Sequence, residues 1–262
     1  MPRLDWDVSG ARYYEAGVDR GVLYVTGQPG VVWNGLTAVN ETPSGGEPRA
    51  FYIDGVKYLN YSAPEEFEAT VTAFMYPLEF EVCDGSVQPR EGLFLTHQAR
   101  KPFGMSYRTM IGSDQSDSAG YKLHIVYNAR VSPTDRNHGT LKEQNDPDDF
   151  SWKITCKPPA MAGYRRTPHI VIDSRTTDPT VLSAIEDILY GSDSDAARLP
   201  TLDDLIATYD TVSTMTVTDN GDGTFTVDAP YDVIRMLDSE TFEITSNNAV
   251  FIDDSTYTLS SD

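Results

Sequence analysis

Hydrophobic and polar positions alternate with a period of two along most of this chain. The clearest run is Glu66–Tyr76. It sets Phe67, Ala69, Val71, Ala73 and Met75 on one face and Glu66, Glu68, Thr70 and Thr72 on the other. Such alternation predicts a strand with one packed and one hydrated side. Tyr121–Val131 places Tyr121, Leu123, Ile125, Tyr127 and Ala129 together, and Phe150–Cys156 does the same for Phe150, Trp152, Ile154 and Cys156. Further strands are expected at Met105–Ile111 and His169–Asp173, with shorter ones at Val22–Val25 and Val31–Val39. Ala50–Tyr61 reads as a hairpin, because Asp54-Gly55 between two apolar runs suits a tight primed turn. Asn40–Pro48, rich in Gly, Pro and polar residues, reads as a long loop. Antiparallel strands of this kind predict a sandwich or an open barrel.

The period then changes. Asp178 can cap a helix with Pro179 at its first position, and Gly191 can end it. Val181, Leu182, Ile185, Ile188 and Leu189 form its apolar stripe. We expect this stripe to pack on the apolar face of the Glu66–Tyr76 strand. Thr201–Asp204 has capping-box spacing and opens a second short helix, with Leu202, Leu205, Ile206 and Tyr209 on one face. Strand patterns return at Met215–Thr218 and Thr224–Asp228 around an Asn220–Gly223 turn. They continue at Thr241–Thr245, Ala249–Ile252 and Thr256–Leu259. This places a domain boundary near Thr211, with residues 1–211 as the main domain and 212–262 as a small β module.

Charge narrows the possible partners. The 262 residues carry 40 Asp plus Glu against 20 Lys plus Arg, a formal net charge of -20. Residues 212–262 hold ten acids and one base, Arg235, so -9 of that charge lies there. A chain this negative repels phosphate and is not expected to bind nucleic acid by neutralising it. Cys83 and Cys156 form no CxxC pair and are expected to be free thiols. The N-terminus lacks an apolar signal segment, and no apolar run approaches a bilayer span, so synthesis in the cytoplasm is expected.

Candidate chemistry is sparse. Asp219–Thr224 lacks the oxygen spacing and the closing Glu of a calcium loop. Asp253-Asp254 reads as a turn. His97, His124, His138 and His169 show no HExxH or HxH spacing, and His124 and His169 read as sheet-face residues. Neither a nucleophile elbow nor a phosphate-binding Gly-rich loop occurs. With so many acids, carboxylate pairs carry no information about hydrolysis. Catalytic, cofactor and metal residues are therefore all expected to be absent. Arg100-Lys101 and Arg165-Arg166 are small basic spots, open either to solvent or to acids of a neighbouring subunit. The three Trp are dispersed in sequence, which disfavours an aromatic recognition patch.

The order of several segments is distinctive. Tyr76–Gly85 (YPLEFEVCDG), Arg100–Thr109 (RKPFGMSYRT), Gly120–Tyr127 (GYKLHIVY) and Phe150–Trp152 come first. Ile185–Gly191 (IEDILYG) and Arg198–Pro200 follow. Taken together, over residues 13–210, the chain resembles the major tail tube proteins of long-tailed, siphovirus-type bacteriophages, in the branch found in phages of actinobacteria. Residues 219–259 resemble the acidic C-terminal module of that branch. The resemblance implies a structural virion protein, not an enzyme, with a β-sandwich or half-barrel and a flanking helix. It implies hexameric rings that stack into a tube conducting DNA without specific binding. The implied partners are other copies of the chain, the tape measure, the tail terminator and the baseplate or distal tail protein, with no membrane. Glu66 and Glu68 are expected to face the lumen, and Asn40, Glu41 and Glu47 to lie in a loop reaching the next ring. The small module is expected on the tube exterior. The competing reading is an acidic β-sandwich that recognises glycan or a cell surface.

Overall fold

The computed structural model describes residue 6 and residues 8–62, 64–136, 149–161 and 163–212. Beyond these it describes the backbone of six short strands between residues 216 and 257. The chain divides into two compact units, Met1–Leu202 and Asp203–Asp262.

The first unit is built on antiparallel strands. In chain order they are β1 (Tyr13–Val25), β2 (Val31–Val32), β3 (Leu36–Glu41), β4 (Ser44–Gly45), β5 (Pro48–Ile53), β6 (Val56–Ser62) and β7 (Glu65–Glu66). Then come β8 (Glu68–Ala73), β9 (Val87–Arg90), β10 (Leu93–Leu95), β11 (Phe103–Ser113), β12 (Gly120–Val131), β13 (Phe150–Cys156) and β14 (His169–Asp173). Eight of them form the main sheet in the order β2-β1-β11-β12-β13-β8-β3, with β14 also paired to β12. β12 is the hub. One edge pairs with β11, while the other takes β14 along Lys122–Val126 and β13 along Ala129–Val131. This gives the predicted mainly β, antiparallel architecture with a flanking helix.

The core on one side of the sheet is aromatic. Trp152, Trp33, Phe80, Phe103 and Tyr107 are buried, with Leu23, Met105, Val126, Val71 and Ile154 around them. Phe80 sits 4.7 Å from Trp33 and 5.0 Å from Trp152 between ring centroids, both in tilted or edge-on geometry. Two tryptophans far apart in sequence thus meet in one cluster. β8 shows the predicted alternation, with Ala69, Val71 and Ala73 buried and Glu68, Thr70 and Thr72 half-buried.

In β12 the alternation breaks. Asn128 adopts φ 50°, and the register with β11 shifts between Met105↔Val126 and Phe103↔Ala129. A bulge re-aims every residue beyond it. Ala129 therefore joins the aromatic core, whereas Leu123 and Ile125 stay outside that cluster. β1 likewise begins well before the expected Val22. Positive φ at Gly17 and Arg20 and two register shifts interrupt its pattern and hide it from a period-two reading.

Helix α1 (Glu81–Asp84) follows a 3-10 turn at Leu78–Phe80. Helix α2 (Pro179–Tyr190) starts and stops as predicted, with the Asp178 carboxylate accepting from the backbone N–H of Thr180 and Val181. Its stripe of Val181, Leu182, Ile185 and Leu189 is buried but lies outside the aromatic core containing β8. The expected packing of α2 on β8 is thus corrected. The helix is instead tied to β1, β11 and β12. Tyr24 donates to the Leu189 carbonyl at 2.8 Å, and Tyr121 donates to Glu186 at 2.8 Å. Buried Arg108 forks onto Asp19, lies 3.8 Å from Glu186 and stacks 4.3 Å over the Tyr121 ring. The core face of β8 is already filled by aromatic side chains, leaving the outer face of the sheet for the helix. Asp178→Ala should destabilise the protein by about 1 kcal/mol in urea unfolding, with an unchanged m-value, because it removes a cap without altering the core.

Helix α3 (Leu202–Val212) forms where the capping box predicts, and Leu205 is buried. In the second unit three two-stranded pairs are described. They are β15 (Thr216–Asp219) with β16 (Phe225–Asp228), β17 (Ile234–Met236) with β18 (Phe242–Ile244), and β19 (Ile252–Asp253) with β20 (Thr256–Tyr257). The Asn220–Gly223 turn and Asp254 lie outside the described residues.

Candidate assembly surface and a buried histidine pair

The region expected to be one long loop is mostly strand. Asn40 and Glu41 close β3 and pair with Thr70 and Ala69 of β8. Ser44 and Gly45 pair with Glu66 and Glu65, and Pro48 already begins β5. Only Thr42-Pro43 and Gly46-Glu47 lie between strands. The loop reading is corrected for Asn40 and Glu41, while exposed Glu47 does lie outside regular structure. The glycines that suggested slack are what permit the turn. Gly45 and Gly46 have φ of 80° and 75°, and a Cβ on Gly45 would sit 2.7 Å from the Pro64 carbonyl oxygen. Only glycine takes that conformation and that approach readily.

Beyond this neck stands the predicted hairpin. β5 and β6 pair from Pro48↔Ser62 to Ile53↔Val56, and Asp54 and Gly55 both take positive φ, as a type I′ turn requires. Every residue of both strands is exposed. Phe51, Tyr52, Ile53, Val56, Tyr58, Leu59 and Tyr61 are each between 44% and 69% exposed. A two-stranded ribbon alone in water is marginal, and so many large apolar side chains exposed on one hairpin mark an interaction site.

Glu66 and Glu68 fall in different strands, separated by Phe67. Glu66 is exposed at the neck. Glu68 is half-buried; it pairs with Lys153 at 2.7 Å and accepts from Ser44 at 3.3 Å. The hydrogen bond from Lys153 holds its carboxyl below the ordinary range. The basic spot Arg165-Arg166 lines a cleft of about 350 Å³ with Glu41, Pro43, Phe67 and His169.

At the inner end of this cleft lies a cluster that sequence spacing did not reveal. His124 on β12 and His169 on β14 are diagonal neighbours across that strand pair, and His124 Nδ1 is 3.1 Å from His169 Nε2. The rings lie nearly parallel, at 12°, and Tyr107 stacks on His124 at 4.6 Å. Glu41 Oε1 lies 3.6 Å from His124 Nδ1 and 3.8 Å from His169 Nε2, and it accepts from the Tyr107 hydroxyl at 2.9 Å. On the far side, Thr109 donates to Glu15, which also binds Lys122. Burial opposes charge on Glu15, but these two hydrogen bonds outweigh it and keep the carboxyl below its usual range. With its proton committed to Glu15, the Thr109 hydroxyl accepts from His124 Nε2, 3.0 Å away. The Nδ1 lone pair of His124 therefore faces His169. Burial pushes His124 down to about 4, with His169 adding to the shift and Glu41 and Glu15 opposing it. Burial also lowers His169, against Glu41. The cluster of Glu41, His124 and His169 arises from strand register across three separate strands, which no local motif encodes. Cys83 and Cys156 are free, and burial pushes both thiols up to about 12.

No family model matches the chain, and no curated protein matches it. Among solved structures it is similar to a chain from the sheath-tube complex, in the extended state, of an extracellular contractile injection system, PVC. The identity is 14%, the match covers 59% of this chain and 88% of that one, and the TM-score is 0.29. It is also similar to a chain from the sheath/tube terminator of an extracellular contractile injection system, PVC, in the extended state. There the identity is 13%, the coverage is 66% and 99%, and the TM-score is 0.25. Among the described residues no helix is long and apolar enough to cross a membrane.

Proposed function

We propose that this chain is the self-assembling subunit of a phage-type tail tube, a structural virion protein rather than an enzyme. The observation that carries this reading is the β5–β6 ribbon, whose apolar side chains are exposed along its whole length. A second copy of the chain is the occupant that fits. A heterologous contact repeated by rotation closes a ring, and repeated along an axis it builds a tube. The strand order supports the same reading, since β3 and β2 stand at the ends of the sheet. Unpaired edge groups can continue a sheet into a neighbour. The ordered sequence resemblance over residues 13–210 supplies the hexameric ring, the siphovirus setting and the passage of DNA. The tape measure, tail terminator and baseplate or distal tail protein are its further partners, and assembly takes place in the host cytoplasm.

The neck of the ribbon, with Glu47, reaches the next ring, while Asn40 and Glu41 anchor it at the end of β3. Glu66 and Glu68 face the lumen; Lys153 neutralises Glu68, so repulsion of DNA phosphates there falls to Glu66 and the other unpaired carboxylates, and the genome slides without adhering. Residues 212–262 form an external module. The exposed Phe51, Tyr52, Tyr58 and Tyr61 favour a second reading, a module that stacks on glycan rings. Negative-stain and cryo-electron microscopy of the concentrated protein decide between the two. Stacked rings with Glu66 and Glu68 lining the bore are the expected result. A monomer at all concentrations that binds oligosaccharide through the ribbon would overturn the tube reading.

A further inference from the structure

We propose that Glu41, His124 and His169 form a binding site for a single divalent transition-metal ion of the zinc class, locking the neck of the ribbon to the main sheet. The donor atoms are spaced 3.1, 3.6 and 3.8 Å apart. A circle through three points so spaced has a radius of about 2.0 Å, the ordinary zinc–nitrogen and zinc–oxygen length. All three donors therefore reach one ion with little backbone movement. Two imidazoles and one carboxylate are a ligand set that suits zinc and its neighbours and ignores magnesium and calcium.

The surroundings are those of a built site. The Glu15–Thr109–His124 chain fixes the tautomer that turns the His124 Nδ1 lone pair inward, and Tyr107 orients the Glu41 carboxylate. Outer hydrogen bonds of this kind hold ligands in coordinating geometry. In the metal-free pair one proton bridges His124 Nδ1 and His169 Nε2. The ion takes its place, the His169 proton passes through solvent from Nε2 to Nδ1 so that the ring stays neutral, and that ring turns so that its Nε2 lone pair faces the metal beside the inward His124 Nδ1. Space for that turn, and for water as the fourth ligand, lies in the cleft beside His169. Arg165 and Arg166 line the cleft but are exposed, so their charges are screened by solvent. The three ligands come from β3, β12 and β14, and Glu41 is the last residue of β3 before the ribbon neck. An ion here would therefore fix where the ribbon leaves the sheet.

The test uses the full-length protein after chelator treatment and dialysis. Titration with Co²⁺ should give one equivalent of tetrahedral-type visible absorption, displaced by Zn²⁺, and Zn²⁺ should raise Tm. Glu41→Gln and His169→Gln should each weaken Co²⁺ binding at least about 10-fold. Thr109→Val, which touches no metal, should weaken it about 10–100-fold by freeing the His124 tautomer. Long-range ¹H–¹⁵N NMR on the unmodified protein needs no variant. It should show Zn²⁺ shifting His124 Nδ1 and His169 Nε2 while leaving exposed His97 unmoved. Absence of Co²⁺ absorption and of the NMR shifts, or undiminished binding in both ligand variants, would overturn the proposal.

Discussion

Replacing residues 48–62 with a short Gly-Ser linker should abolish tube formation and leave the sheet domain folded. No ribbon side chain is buried, so the aromatic core loses nothing. The same residues expose seven large apolar side chains. Fully burying one such side chain contributes about 1.5–3 kcal/mol, so the ribbon as a whole outweighs any rim contact. The expected result is a monomer by sedimentation, with the urea-unfolding transition of the buried tryptophans retained and no tubes by microscopy. A graded test keeps the backbone. Phe51 and Leu59 are directly opposed, and changing both to Ser removes one apolar cross-strand pair. That variant should raise the concentration needed for assembly rather than prevent it. Tubes of normal length from the linker variant would exclude the ribbon as the main contact.

The second large effect lies in the core. Trp152→Ala should destabilise the subunit by about 3–5 kcal/mol in urea unfolding, because it opens a cavity the neighbouring rings cannot fill. Trp152 is 1% exposed, lies 5.0 Å from Phe80 and 5.3 Å from Tyr76, and meets Trp33 edge-on. A loss of that size is a fifth or more of the stability of an ordinary domain, which is about 5–15 kcal/mol. Trp6→Ala is the control. Trp6 is 77% exposed, and its removal should change stability by no more than about 0.5 kcal/mol.

The parts of this fold that were legible in the sequence are those set by local rules. The Asp54-Gly55 turn, the Asp178 cap with Pro179, and the strands at Phe150–Cys156 and His169–Asp173 each follow from a few adjacent residues. The parts that were not legible depend on distant partners or on interrupted periodicity. The bulge at Asn128 sends Ala129 to the opposite side from the one its spacing predicts. Gly17 and Arg20 do the same to β1. Asn40 and Glu41 look like loop because their strand is defined by β8, not by their own composition. The histidine pair is the clearest case. His124 and His169 are unremarkable singly, and only the register of β12 with β14 and the end of β3 brings them to Glu41. The ribbon could be predicted as a hairpin, yet its complete exposure could not, since alternating apolar strands ordinarily have something to pack against.

The strand order also governs how a subunit comes into being during translation. β1 finds its partner in β11 and β8 finds its partner in β13, so neither ladder can close until those later segments have left the ribosome. The ribbon needs only its own residues and is complete almost as soon as it emerges. A nascent chain therefore displays its most adhesive element first and its finished scaffold last. On a polysome, where identical chains grow side by side, the interval between the two is when premature pairing competes with maturation.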